Sequence, residues 1–350
     1  MRPQNSGTVS STSSARDVVI LGAGLIGLAT ALELADRGAS VTVIERGRSL
    51  AAASTAAAGM LAAEDPCNPE SLRDLSQLSI ERYPRFLSRL EALSGVQVPF
   101  QTETTFQYMA GGPALRLRER SIDPRQLAIA LSAAIRSTPI QLLETTRVSA
   151  IHSVKHGNKV LLEDGSSISA DTIVYATGAW TGEASEYLDG IPLLVTPRKG
   201  QMMRVRISPS NRLHEVHRSE RVYIVPRVHG PQAGTAVIGA TIEEAGFDTT
   251  VHASDLDGLR SLAAVLIPSL GSPDEAPTVE SWAGLRPATP DLLPMLGAGR
   301  RSGQFVATGH YRNGILLAPA TAVVMADLVE GKPPAVDLSD FSPLRFPIAS

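Results

Sequence analysis

Val18-Val19-Ile20-Leu21-Gly22-Ala23-Gly24-Leu25-Ile26-Gly27 leads, through a helix-like stretch, into Val41-Thr42-Val43-Ile44-Glu45. An apolar run, a glycine turn, a helical stretch, a second apolar run and a terminal acid are the layout of a βαβ dinucleotide-binding unit. Three glycines at this spacing are a weak signal alone. The flanking strands, and an acid 18 residues beyond Gly27, make it a strong one. Gly22 allows the tight turn, Gly24 opens the backbone to a pyrophosphate, and Gly27 permits close helix–strand packing. The helix N-terminus adds partial positive charge at the same place. Glu45 is placed to accept hydrogen bonds from a ribose diol.

At 350 residues the chain exceeds the size at which one core stops growing, so two domains or one interrupted domain are expected. A net charge of −3 gives no electrostatic case for nucleic acid or an anionic membrane. Aromatic residues make up only 4%, which argues against a base-stacking platform. The single cysteine, Cys67, excludes an intramolecular disulfide and a Cys-rich metal site. No metal site is expected, and a reducing, cytoplasmic setting fits this usage. No apolar run approaches the ~20 residues needed to cross a bilayer. Residues 1–15 are rich in Ser and Thr and lack an apolar segment, so they read as a disordered leader, not a secretory signal.

Beyond the βαβ unit at 17–45, residues 51–63 are small and nearly uncharged, with Ser54, Thr55 and Gly59 interrupting an alanine run. This is either the start of a buried helix or a backbone segment lying against a flat ligand. Apolar spacing predicts helices over 72–93 and 123–135. A short parallel strand is expected at 140–143, then a meander of 148–151, 159–163 and 167–170, with Asp164-Gly165 as a hairpin turn. Residues 172–178 read as another buried strand ending in glycine. From 191 to 242 strands predominate, at 199–207, 221–227 and 236–242. A helix at 256–266 and a strand at 278–285 follow. The last unit reads as a strand at 304–308, a loop at 309–318 and a helix at 319–329, with Pro319 at its first position. Parallel-strand material thus occurs at both ends and in the middle, with antiparallel material inserted between. The expected fold is α/β: an interrupted Rossmann-like domain (16–80, 121–190 and 285–338) plus an inserted α+β substrate domain with an antiparallel sheet (81–120 and 191–284). A simple NAD-dependent dehydrogenase completes one Rossmann unit before adding a catalytic domain; an interrupted unit looks more like a flavoprotein.

Six motifs in chain order carry a resemblance: the stretch 19–27, Ala56-Ala57-Ala58-Gly59-Met60, Ala176-Thr177-Gly178-Ala179-Trp180, Tyr223-Ile224-Val225-Pro226-Arg227, Trp282-Ala283-Gly284-Leu285-Arg286-Pro287, and residues 309–319. Together they resemble the D-amino-acid oxidase superfamily of FAD enzymes, nearest to its glycine oxidase branch, which is linked to thiamine biosynthesis. The likeness spans about 17–329. One departure stands out: between Tyr108 and Ser121 the chain carries only twelve residues, where relatives have a longer stretch.

The resemblance implies non-covalent FAD and a binding set. Leu25 and Ile26 lie under the pyrophosphate turn, and Glu45 and Arg46 lie at the ribose. Ala58, Gly59 and Met60 run along the isoalloxazine, and Ser54 and Thr55 belong to the same cofactor-binding set. The Val148 backbone holds the adenine, and Gly178 closes the pyrophosphate side. His310, Tyr311, Arg312, Asn313, Gly314, Ile315 and Leu316 reach the flavin pyrimidine. It places Arg286, Arg312, Tyr223 and Met60 at the substrate. A guanidinium fork suits an amino-acid carboxylate, and Arg286 is expected in a stiff loop after its strand, ahead of Pro287. The implied chemistry is oxidative deamination of glycine, other small amines or D-amino acids to an oxo acid and ammonia, with molecular oxygen reduced to hydrogen peroxide. No obligatory acid or base is evident, and His310 is expected to pack or bond to backbone. Sarcosine oxidase and D-amino-acid dehydrogenase activities are neighbouring readings, as is an FAD-binding protein with impaired catalysis. Relatives often form tetramers, so a homo-oligomer is within the implied range.

Overall fold

A computed structural model describes residues 16–155, 157–184 and 194–346. The expected leader 1–15 lies outside the described residues, as does the start of the expected insert at 191. Strand β1 (Asp17–Leu21), helix α1 (Leu25–Asp36) and strand β2 (Ser40–Ile44) form the βαβ unit, with β1 and β2 parallel. Residues 18–21 are buried. A strand covered on both faces reads as a continuous apolar run, and this one does.

The alanine-rich stretch is helical for one turn only, α2 (Ala53–Ala56), before the short strand β3 (Met60–Leu61). The helix α3 (Arg73–Ser94) follows, then strands β4 (Phe100–Thr102), β5 (Thr105–Gln107), β6 (Leu115–Leu117) and β7 (Arg120–Ile122). In α4 (Pro124–Arg136), proline takes the first helical position and the Asp123 carboxylate accepts the Arg125 N–H at 3.0 Å. The strand β8 (Gln141–Leu143) precedes the antiparallel meander β9 (Val148–Val154), β10 (Gly157–Leu162) and β11 (Ser167–Ala170). Gly165 turns between the last two with φ +85°. Strand β12 (Thr172–Tyr175) and the single-turn α5 (Thr181–Ala184) complete this half.

The later half holds β13 (Thr196–Arg206), β14 (Val216–Arg218), β15 (Tyr223–Arg227), β16 (Thr235–Gly239), α6 (Ala253–Leu266) and β17 (Thr278–Ala288). It ends with β18 (Met295–Ala298), β19 (Gln304–Thr308) and α7 (Gly314–Glu330).

Two large sheets organise the molecule. The first runs β18-β19-β12-β1-β2-β8 and is parallel except at β18. It gathers strands from the start, middle and end of the chain, which is the interrupted Rossmann-like arrangement. The second runs β17-β13-β16-β15-β14-β5-β6 and is antiparallel except for β5 against β14. The α/β fold class with a separate antiparallel sheet therefore holds. The expected boundary at residue 80 falls inside α3, and Tyr83, Leu87 and Leu90 of that helix join the large core beside the first sheet.

Two expectations are corrected. Arg286 does not follow its strand; it lies within β17, paired in register with Arg198. Pro287 is tolerated there because β17 is a sheet edge, where a missing N–H breaks no ladder bond. The last helix starts at Gly314, not Pro319, so Pro319 sits inside it. A proline in a helix interior frees the carbonyl four residues earlier. That carbonyl, on Ile315, accepts the Tyr83 hydroxyl from α3. The next rung is opened as well: the Ser79 hydroxyl donates to the Leu316 carbonyl at 2.6 Å and accepts the Ala320 N–H at 3.2 Å. Two side chains of α3 thus satisfy the groups that Pro319 releases.

Candidate functional site

A cleft of about 1540 Å³, open mouth included, runs from the β1–α1 turn to the face of the second sheet. Its first wall is Gly24, Leu25 and Ile26 at the start of α1, with Ser54 and residues 56–60 beside them. Gly22 has φ +102°, and a Cβ there would sit 2.5 Å from the Ala176 carbonyl oxygen. A Cβ on Gly27 would lie 2.0 Å from the Gly22 carbonyl oxygen. Gly24 is different: its nearest would-be contact is the Ser54 hydroxyl at 3.5 Å, so its surface stays open. The Ser54 Oγ accepts the Leu25 N–H at 2.9 Å. The Glu45 carboxylate accepts the Ala23 N–H at 3.0 Å and the Gly47 N–H at 2.8 Å, standing at the end of β2 as the spacing predicts. A free backbone surface at a helix N-terminus, walled by alanine and glycine, is a fit for a flat dinucleotide.

The other expected cofactor residues divide. Ala58, Gly59, Met60, Gly178, His310, Tyr311, Arg312, Asn313, Gly314 and Ile315 line the cleft. Thr55 donates to the Leu50 carbonyl at 3.0 Å, and Leu316 is buried in the first turn of α7. Arg46 lies over the Trp180 ring, 4.5 Å from its centroid, and pairs with Glu183 at 2.9 Å. Val148 opens β9.

On the second sheet, Arg286, Tyr223 and Met202 face the cleft. Arg286 Nη1 donates to the carbonyls of Thr241 (3.1 Å) and Lys199 (3.3 Å). Room for its guanidinium comes from Gly200, where a Cβ would lie 2.3 Å from Nη2. Room for the Tyr223 hydroxyl comes from Gly239, where a Cβ would lie 2.6 Å away. Burial pushes the Tyr223 phenol up, with the Arg286 charge working against it. Glycine inside a strand signals close approach of another group, and Gly200 and Gly239 both carry that signal in the sequence. Lys199, itself buried, pairs with Asp248 at 3.1 Å and Glu243 at 3.4 Å, tying down the loop that carries the Thr241 carbonyl.

Arg312 stands differently from Arg286. It is 42% exposed, and its Nη2 lies 3.3 Å from the buried Asp65 carboxylate. Asp65 is also 3.7 Å from Arg218 Nη1, which is 3.2 Å from Glu119. Burial pushes the Glu119 carboxyl up against the opposing Arg218 charge. Nothing in the sequence pattern singled out Asp65, Glu119 or Arg218. His310 is 3% exposed, and its Nε2 lies 3.0 Å from the Thr321 hydroxyl. The ring is thus packed in the interior, and its hydrogen-bond partner is a side chain of α7. Burial holds the imidazole down to about 3, so it is neutral. Cys67 is exposed, and partial burial and Asp65 raise its thiol above the usual range. Among the described residues no metal-holding cluster occurs, and no helix is long and apolar enough to cross a membrane.

The parallel sheet, the open glycine turn and the cleft against a second sheet are the layout of a dinucleotide-binding protein of the α/β class. The family described as DAO, FAD dependent oxidoreductase, matches residues 17–121 and 106–328. A bifunctional protein ThiO/ThiG of Trichormus variabilis is 35% identical over 95% of this chain and 55% of its own length. The glycine oxidase of Geobacillus kaustophilus is 34% identical, over 94% of this chain and 97% of its own. The crystal structure of glycine oxidase from Geobacillus kaustophilus superposes with a TM-score of 0.87 at 32% identity, covering 95% of this chain and 99% of that one. The chain belongs to the DAO family of FAD dependent oxidoreductases, and its cofactor is FAD. It spans about half the length of the bifunctional relatives it matches. The alignment with the Geobacillus kaustophilus enzyme is 373 positions long against a 350-residue chain, so that relative carries insertions.

Proposed function

We propose that this chain is a flavin-dependent amine oxidase acting on small amines that bear a carboxylate, glycine foremost. The observation that carries this reading is Arg286. Its guanidinium faces the cleft and donates to backbone carbonyls, and no carboxylate among the described residues lies within ion-pair distance of it. A half-buried cation left without a counter-charge suits a substrate carboxylate, bound through two charge-assisted hydrogen bonds. The Tyr223 hydroxyl lies beside it as a second donor. Arg312, already engaged by Asp65, has the lesser part.

Leu25, Ile26 and Gly24 receive the pyrophosphate, Glu45 and Arg46 the ribose, Val148 the adenine, and residues 58–60 with 310–316 the ring system. Bound FAD supplies a two-electron acceptor that oxygen restores, with hydrogen peroxide as product. The oxidised amine is an imine, which water hydrolyses to the oxo acid and ammonia. His310 is neutral, enclosed and bonded to Thr321, so no proton is routed through it. The names glycine oxidase and ThiO among the relatives support both the substrate and a role in thiamine biosynthesis. FAD is held without a covalent bond, so acid denaturation should release the yellow colour into solution.

Anaerobic titration with glycine tests the reading. The flavin band should bleach, and readmitted air should restore it with peroxide formed. Flavin-loaded protein that stays yellow with glycine, sarcosine and D-alanine alike overturns it.

A further inference from the structure

Two carbonyls of residues 56–59 are held from the second sheet. Trp282 Nε1–H, on β17, donates to the Ala56 carbonyl at 3.0 Å. Arg227 Nη2–H, on β15, donates to the Ala58 carbonyl at 2.8 Å. In a trans peptide the N–H points opposite to the preceding carbonyl. Anchoring Ala58 therefore turns the Gly59 N–H away from Arg227. Among the described residues that N–H has no hydrogen-bond acceptor, and Gly59 lines the cleft. Its φ is +91°, and a Cβ there would lie 2.0 Å from the Ile122 carbonyl oxygen, so the segment can adopt this path only with glycine.

Arg227 is an expensive way to hold one carbonyl. It is 4% exposed, its Nη1 has no hydrogen-bond partner, and Asp123 stands 3.9 Å from its Nε. Burial lowers its pKa to about 10, with Asp123 working against that shift and Arg204 and Arg125 with it. Both of those arginines pair with Glu280, so three guanidiniums share two carboxylates behind residues 56–59. A neutral amide would reach a carbonyl at a lower desolvation cost. The retained charge, and its excess over nearby anions, call for a use.

We propose that Arg227 and Trp282 are positioning residues for the flavin: they fix residues 56–59 so that the Gly59 amide is presented to the isoalloxazine, and the Arg227 charge raises its reduction potential. This rests on the ring lying along residues 58–60, not on which amine is oxidised.

Three holoenzyme variants test it by FAD dissociation constant and midpoint potential. Arg227→Met should raise the dissociation constant tenfold or more and lower the potential. Arg227→Lys, which keeps the charge, should restore the potential while leaving affinity weakened. Trp282→Phe keeps the ring that Arg125 covers at 4.6 Å but loses the N–H; it should weaken affinity a few-fold and leave the potential near that of the parent. An Arg227→Met protein with parental melting temperature, affinity and potential overturns the proposal. If that variant does not fold, parental affinity in both Arg227→Lys and Trp282→Phe overturns it. A parent chain that takes up no FAD removes the reading beneath it as well, which is a distinct result.

Discussion

Glycine does opposite jobs at the two ends of the cleft. At the β1–α1 turn, the atoms that a Cβ on Gly22 or Gly27 would strike are backbone carbonyl oxygens. On the second sheet, the atoms that a Cβ on Gly200 or Gly239 would strike are all side-chain atoms: the guanidinium of Arg286 at Gly200, and the Tyr223 phenol and Met202 Cγ at Gly239. The first pair shapes a rigid seat that cannot yield without moving the main chain. The second pair clears space for side chains, which can yield without moving the main chain, most readily at Gly200, where only the end of Arg286 is met. The cofactor end should therefore fail as a unit, while the substrate end should fail by degrees.

The sharpest break comes at the turn. Gly22→Ala meets both a φ of +102° and a backbone oxygen at 2.5 Å. The combined strain and overlap should cost about 3 kcal/mol or more. The variant is expected to purify without FAD, if it folds, and to melt several degrees below the parent. A yellow, fully active Gly22→Ala protein would show that this end also yields.

The next effect lies at the other end. Arg286→Gln removes a charge-assisted fork worth about 1.5–3 kcal/mol per hydrogen bond. Its kcat/KM for glycine should fall by roughly 10²–10⁴, with FAD affinity unchanged. Arg312→Gln should cost tenfold or less, because Asp65 already engages that cation. Equal losses would erase the distinction drawn between the two arginines.

Gly200→Ala is gentler. The added methyl does not meet the main chain; it displaces Arg286, whose Nη2 would lie 2.3 Å away. KM for glycine should rise by about 10–100-fold, which corresponds to one to two charge-assisted bonds weakened. FAD content and melting temperature should stay close to parental. Loss of flavin instead would mean that the second sheet is as rigid as the first.

The same contrast explains what was legible in the sequence. The seat is built from local rules: glycine spacing, continuous apolar strands and an acid at a fixed offset, all within residues 17–45. The substrate face depends on long-range pairing. Nothing near Val216 announces that it pairs in parallel with Thr105. Pro287 reads as a loop signal because sequence does not reveal that β17 is an edge. Pro319 reads as a helix start because the hydroxyls that repair the ladder, on Ser79 and Tyr83, come from a helix more than 200 residues away. The roles proposed for Arg286 and Tyr223 rest on motif likeness as well as on their place in the cleft, while Asp65 and Arg227 stand out only through their three-dimensional partners.

His310 decides to which end the final loop belongs, and it does so with almost no expected change in rate. It lines the cleft, but its ring is enclosed and bonded to Thr321 of α7, as a piece of the rigid frame would be. Its folded pKa, about 3, lies below the ordinary 6.5. Between those values the unfolded chain binds a proton that the folded chain refuses. Stability from the neutral ring is thus complete above pH 6.5 and is lost progressively as pH falls toward 3, with a slope of up to about 1.4 kcal/mol per pH unit. His310→Asn should flatten that part of the acid-unfolding profile and leave the pH dependence of glycine turnover near neutrality unchanged. A variant whose turnover profile moves while its acid stability does not would place His310 with the substrate chemistry instead, and the loop with the yielding end of the cleft.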